Sequence, residues 1–75
     1  MEKLIYVGPN LRNHALIQYA VYIGGMPKHI DNELEKVPEL AKLFVPISKL
    51  EHAQKQIEIP GTPMAKYYEK VKEEL

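Results

Sequence analysis

The side chains that could bind a metal ion are three histidines and the carboxylates near them. His29 and Glu33 are four residues apart, so on a helix they would share one face and could hold a metal ion between them. No third ligand follows from the sequence, because His14 and His52 fall in other predicted elements and neither an H-E-x-x-H motif nor a cysteine pair is present. We therefore predict a solvated His–Glu pair and no metal site.

The hydroxyl groups that could act as nucleophiles are those of Ser48 and Thr62. Each is better explained as the residue that begins a helix: Ser48 and Glu51 have the spacing of a capping box, and Thr62 is followed by Pro63, which suits the first helical turn. Gly24-Gly25 is not followed by phosphate-loop spacing and predicts a turn. We predict no catalytic residue, no cofactor and no small-molecule substrate, so the chain is not expected to be an enzyme.

The hydrophobic pattern predicts a β-hairpin in the first third of the chain. Strand-forming residues over 2–7 are closed by Gly8-Pro9-Asn10, and the run LIQYAVYI over 16–23 alternates as a second strand, with an irregular loop between them. Ile17, Tyr19, Val21 and Ile23 would lie on one face of that strand. Gly24-Gly25 should end it.

The rest of the chain predicts helices. Ile30, Leu34 and Val37 have helical spacing after Pro27, and Pro38 should break this helix before a short turn over 38–42. Val45-Pro46-Ile47 fits an edge strand or an extended link, and two helices should follow, from Ser48 and from Thr62. The prediction is one α+β domain over residues 1–75, with an N-terminal antiparallel β-hairpin, a proline-broken helix, a short extended segment and two C-terminal helices. Its predicted core includes Leu34, Phe44, Leu50 and Tyr68.

Composition narrows the classes of partner. Ten basic and ten acidic residues give a net charge of zero, so the electrostatic field that draws proteins to nucleic acid or to anionic lipid is missing. The N-terminal apolar run is too short for a signal peptide or a membrane span, and cysteine is absent, which suits a reducing compartment. We expect no membrane partner and a location in the cytoplasm of the cell that makes the chain.

Three segments carry a resemblance: YVGPN near the start, PELAKLFVPISKLEHAQKQI in the middle and PGTPMAKYYEKV near the end. In them the chain resembles small uncharacterised proteins of tailed phages and prophages, encoded among the head and tail morphogenesis genes. The resemblance covers most of the chain and implies a non-enzymatic accessory or structural part in virion assembly, in the host cell or in the virion itself. No catalytic motif defines such proteins, so no functional residues are implied.

The second predicted strand gives the clearest functional signal, because both of its faces are apolar. A two-stranded sheet with one layer of helices would leave part of it uncovered, so we predict a protein-contact patch of Tyr6, Tyr19 and Tyr22. The partner would be a phage head or tail component or a second copy of the chain. One alternative is that the helices cover both faces. Another is a small DNA-binding regulator, whose helix over 48–57 would contact a groove through five side chains: Lys49, His52, Gln54, Lys55 and Gln56.

Overall fold

A computed structural model describes residues 3–75 and has α+β architecture, as predicted. Three strands form one sheet, and the helices follow the second and third strands. The strands are β1 (Lys3–Tyr6), β2 (Val21–Ile23) and β3 (Phe44–Pro46). The α-helices are α1 (Asp31–Lys36), α2 (Leu50–Glu58) and α3 (Pro63–Glu74), and short 3-10 helices span Lys28–Ile30, Pro38–Leu43 and Ile47–Lys49.

β1 is the central strand, with β2 and β3 antiparallel on its two sides. The Tyr6 N–H donates to the Ala20 carbonyl beside β2, and the Val7 N–H donates to the Leu43 carbonyl beside β3. Successive residues of a strand direct their backbone groups to opposite sides, so β1 is bonded along both edges. Its apolar residues are buried on both faces. The strand predicted over 2–7 is confirmed over Lys3–Tyr6 and ends one residue earlier than predicted. Glu2 lies outside the described residues.

β3 is an edge strand, one of the two predictions made for Val45-Pro46-Ile47. Val45 lies opposite Ile5, and Pro46 lies opposite Leu4. Because the Val7–Leu43 bond sets the alternation, Val45 directs its backbone groups towards β1 and Pro46 directs its own away from it. The missing N–H of proline thus falls on the free edge, where the sheet does not need it.

The second strand is shorter than predicted, because only Val21–Ile23 pairs with β1. Residues 16–20 form a turn instead. Tyr19 has a φ of 69°, its N–H donates to the Tyr6 carbonyl, and the Ala20 N–H donates to the Ile17 carbonyl. Leu16 is drawn into the core, and its carbonyl accepts a bond from the Leu11 N–H. Burial of this leucine therefore replaces the extended conformation that alternation predicted.

The broken helix is as predicted in outline. α1 ends at Lys36, and a 3-10 helix begins at Pro38 because proline can neither donate the next helical bond nor avoid the preceding turn. The first turn after Pro27 is 3-10 and not α-helical. Ile30, directly before α1, and Val37, directly after it, are both fully buried.

The predicted capping box at Ser48 is wrong. The chain leaves β3 at Pro46 and enters a 3-10 helix at once, so Ser48 lies within helical backbone and not in the extended conformation that an N-cap requires. α2 starts at Leu50, and the residue before it makes no side-chain cap. The second predicted cap is confirmed: the Thr62 hydroxyl accepts from the Ala65 N–H at 3.2 Å, and Pro63 opens α3.

Of the predicted core residues, Phe44 is buried, and Leu34 and Leu50 are half-buried against the core. Tyr68 is wrong as a core residue, because α3 turns Tyr67 and Val71 towards the core and leaves Tyr68 at a surface pocket. An ion pair between the Lys70 Nζ and the Glu39 Oε2, 2.5 Å apart, joins α3 to the 3-10 helix Pro38–Leu43.

The two candidate caps make a matched pair for a stability measurement. The Thr62 hydroxyl caps α3 and also donates to the Gln56 carbonyl at 2.5 Å, so Thr62→Ala should lower the free energy of unfolding by about 1–2 kcal/mol. Ser48→Ala should change it by less than about 0.5 kcal/mol, because no cap bond is lost. Urea denaturation of the three proteins checks this. An equal loss in both variants would contradict the assignment of the caps.

Candidate functional site

Four large apolar side chains are exposed within seven residues of the chain, along β2 and the turn before it. We call them the β2 patch: Ile17, Tyr19, Val21 and Ile23, which are 55%, 47%, 48% and 63% exposed. Together these side chains, two on β2 and two in the turn, expose on the order of 400 Å² of mostly apolar surface, an amount comparable to that of patches that are often functional. The alternation in the sequence predicted these four residues as one face of a strand.

The tyrosine patch predicted from the sequence needs a correction at Tyr6. This side chain has no exposed surface, because β1 is the central strand and its ring packs against Phe44 with 5.2 Å between ring centres. Its hydroxyl donates to the Pro9 carbonyl at 2.7 Å. Burial raises the pKa of Tyr6, and the neighbouring Tyr68 and Tyr22 raise it further. Tyr6 is a core residue and cannot take part in a surface contact.

The other two predicted residues have different positions. Tyr19 is exposed, while Tyr22 is half-buried on the opposite face from Val21 and lies 5.8 Å from the Phe44 ring, measured between centres. Burial raises the pKa of Tyr22. The structure therefore separates the three tyrosines that the sequence grouped. Apart from Tyr19, the exposed side chains of the patch are aliphatic: Ile17, Val21 and Ile23.

β2 also has backbone groups that no described residue binds. The Tyr6–Ala20 bond fixes the alternation, so Tyr22 directs its N–H and carbonyl to β1, whereas Val21 and Ile23 direct theirs to the open side of the sheet. No lysine, arginine, aspartate or glutamate occurs from Leu16 to Pro27. Charged side chains are a common device against pairing at a sheet edge, and this edge has none.

Two open pockets lie beside α2 and α3. The smaller, about 290 Å³, is bounded by Tyr19 and Tyr68 and contains polar groups from Gln18, Gln54 and Glu58. The larger, about 680 Å³, is a groove between the end of α2 and α3, lined by alternating lysine and glutamate side chains and by Ile57. Neither lining includes a histidine, serine or threonine. The converging polar groups of the smaller pocket were not expected from the sequence, since they come from two separate parts of the chain, the turn before β2 and α2.

Two of the candidate metal and nucleophile residues, His29 and Thr62, take part in structural bonds. The His29 Nε2 lies 2.7 Å from the Ala15 carbonyl oxygen, and because a carbonyl only accepts, this nitrogen carries the donated proton. Thr62 caps α3. Within residues 3–75 no group of three or more histidine, cysteine or acidic side chains is arranged to hold a metal ion.

The helix of the DNA-binding alternative is α2. Its predicted contact residues Lys49, His52 and Lys55 are exposed, but the Lys55 Nζ lies 3.5 Å from the Glu51 Oε1, and Glu58 ends the same helix. The cationic face is thus interrupted by carboxylates. DNA binding stays an alternative prediction.

No helix in the described part of the chain is long and apolar enough to cross a membrane. Comparisons with protein families, with curated proteins and with solved structures find no match. The candidate site is therefore defined by geometry alone: an exposed apolar segment on an unprotected sheet edge.

Buried Tyr6 should make stability depend on pH in alkali. The pKa of Tyr6 is raised in the folded protein, so the Tyr6 phenol is neutral in both the folded and the unfolded chain below its ordinary pKa of 10.0. Below that pH the contribution of Tyr6 to the free energy of unfolding is therefore complete. Above that pH the unfolded chain ionises first, and stability should fall by up to about 1.4 kcal/mol per pH unit. Urea denaturation at a series of alkaline pH values measures the slope. Tyr6→Phe should remove most of it, and an unchanged slope in that variant would assign the effect to other groups.

The mixed charge of α2 should prevent tight association with DNA. In a gel-shift titration of a duplex at low and moderate salt, we expect no retardation, because a phosphate backbone needs a cationic surface without neighbouring carboxylates. Retardation that weakens steeply with salt, and that Lys49→Gln abolishes, would favour the DNA-binding alternative.

Proposed function

We propose that this protein is a non-enzymatic protein-interaction module whose contact surface is the β2 patch. The observation that carries the proposal is the exposure of Val21 and Ile23 on an edge strand and of Ile17 and Tyr19 in the turn before it. Native sheets usually protect such edges with charges, prolines or a covering element. An edge that is apolar and unprotected is suited to contact with another polypeptide.

The chemistry of the surrounding surface supports a protein partner over other classes. The segment from Leu16 to Pro27 has no acidic or basic residue, so it offers nothing to a phosphate or to an anionic lipid head group. Free N–H and carbonyl groups of Val21 and Ile23 can pair with an extended strand, and their side chains give the pairing an apolar face. Strand addition thus combines both features in one contact.

We further propose that the contact serves virion assembly in a tailed phage or prophage, with a head or tail component or a second copy of the chain as partner. The support is the sequence resemblance of YVGPN, the central segment and PGTPMAKYYEKV to small proteins of the morphogenesis gene cluster. A small accessory chain with a contact surface suits that role, because assembly proteins act by binding.

A matched pair of substitutions tests the role of the patch in a phage or lysogen that carries the gene. Ile23→Glu places a charge on the patch, while Lys3, directly opposite on β1, can accommodate the carboxylate within the fold. Ile59→Glu places the same charge on a residue of similar exposure, 55%, outside the patch. In a strain deleted for the gene, wild type and Ile59→Glu should restore infectious particles, whereas Ile23→Glu should lower the titre at least about tenfold.

Thermal denaturation of both variants is the control for folding, and the melting temperatures should agree within a few degrees. Full rescue by Ile23→Glu would show that the patch is not the functional surface. A deletion with no effect on the titre would contradict the role in assembly.

A further inference from the structure

We infer that the β2 edge pairs with the β2 edge of a second copy of this chain, giving a two-fold symmetric, six-stranded antiparallel sheet. The inference rests on the proposed function, since it uses the same surface, and it names the partner as a second copy. The two edges of the sheet, the pattern of free backbone groups and the charge of the segment support it separately.

The sheet that residues 3–75 form has two edges, and β2 is the one better suited to accept another strand. At β3, Pro46 directs its nitrogen to the open side and has no N–H to donate, and Lys42 and Lys49 lie just outside the strand and its turn. At β2, both Val21 and Ile23 present an N–H and a carbonyl to the open side. The acceptor edge for a further strand is therefore β2.

The positions of the free groups determine the register. Antiparallel strands form paired hydrogen bonds between residues that both direct their backbone groups across the gap. The register that uses the free groups of both residues of β2 places Val21 of one copy opposite Ile23 of the other, and the reverse, and forms four hydrogen bonds about a two-fold axis at Tyr22. The two Tyr22 residues face each other as a non-hydrogen-bonded pair, with their Cα atoms about 4.5 Å apart. Val21 and Ile23 form cross-strand apolar pairs on the other face.

The charge of the segment favours an identical partner. Pairing a strand with its own copy about a two-fold axis brings like residues close together, which is unfavourable when they are charged. From Leu16 to Pro27 there is no acidic or basic residue, and the chain as a whole has a net charge of zero, so two copies do not repel each other.

The area sets the strength of the dimer. Pairing through β2 can cover at most the roughly 400 Å² of exposed patch per copy, half of the roughly 800 Å² that each partner buries in a standard interface. The dimer should therefore be weak, with a dissociation constant in the micromolar to millimolar range, and its population should rise with concentration.

Cysteine pairing tests the register, because the chain has no cysteine of its own. Val21→Cys and Ile23→Cys replace exposed side chains, so both variants should fold. In the inferred register these two sites lie about 5.5 Å apart between Cα atoms of different copies, within the range of a disulfide, whereas identical sites are roughly 8 Å apart. When the two variants are mixed and oxidised with glutathione disulfide, the mixed dimer should form at least about fivefold faster than either same-site dimer.

Ile59→Cys, at 55% exposure, gives the rate of disulfide formation by random collision. The inference is overturned if the mixed dimer is no more than the statistical half of all dimers, or if its rate equals that of Ile59→Cys. It is also overturned if light scattering gives the monomer mass for the wild type at about 1 mM. Loss of titre in Ile23→Glu together with a monomeric wild type would reject the second copy as partner and leave the proposed function intact. Selective cross-linking together with full rescue by Ile23→Glu would support the second copy as partner and reject the proposed function of the patch.

Discussion

The whole structure depends on the backbone and side-chain bonds of Tyr6 in the central strand. Its N–H and carbonyl bind the turn before β2, its hydroxyl binds the Pro9 carbonyl, and its ring packs on Phe44 of β3. Gly8 must be glycine for the same reason, since a Cβ there would lie 2.5 Å from the Tyr6 hydroxyl oxygen. One residue therefore contacts β3, the turn before β2 and the loop that follows β1. Its side chain is completely buried, and its hydroxyl has a protein partner in place of water.

The parts of the fold that follow from local chemistry could be predicted from the sequence. Pro38 breaks the helix, Thr62-Pro63 begins α3, and Pro46 restricts its strand to an edge, because each effect depends on a missing N–H or a nearby hydroxyl. The errors come from long-range packing. The residues around Leu16 are typical of a strand, but Leu16 is buried in a turn and bonds to Leu11. The residues around Ser48 are typical of a helix cap, but a 3-10 helix begins directly after β3 and includes Ser48.

The candidate site could be predicted only in part, for a related reason. The alternation of apolar residues predicted that Ile17, Tyr19, Val21 and Ile23 lie on one face of a strand. It could not tell which strand of the sheet is central. The central position decides which tyrosines are exposed. A third strand from residues 44–46 places β1 in the middle, buries Tyr6 and leaves β2 at the edge. The position of Tyr19 depends on a positive φ, which is uncommon for tyrosine and has no signal in the sequence.

Pro46 has a consequence for how this sheet behaves when the protein is abundant. A fibril grows by strand addition only if every subunit has two sheet edges that can pair, because each added subunit must present a free edge to the next. Here the outer edge of β3 lacks the N–H of Pro46, so a strand added to that edge would miss one hydrogen bond. If two copies associate through β2 as inferred above, each uses the one edge of the described sheet that is suited to strand addition, and assembly would stop at the dimer.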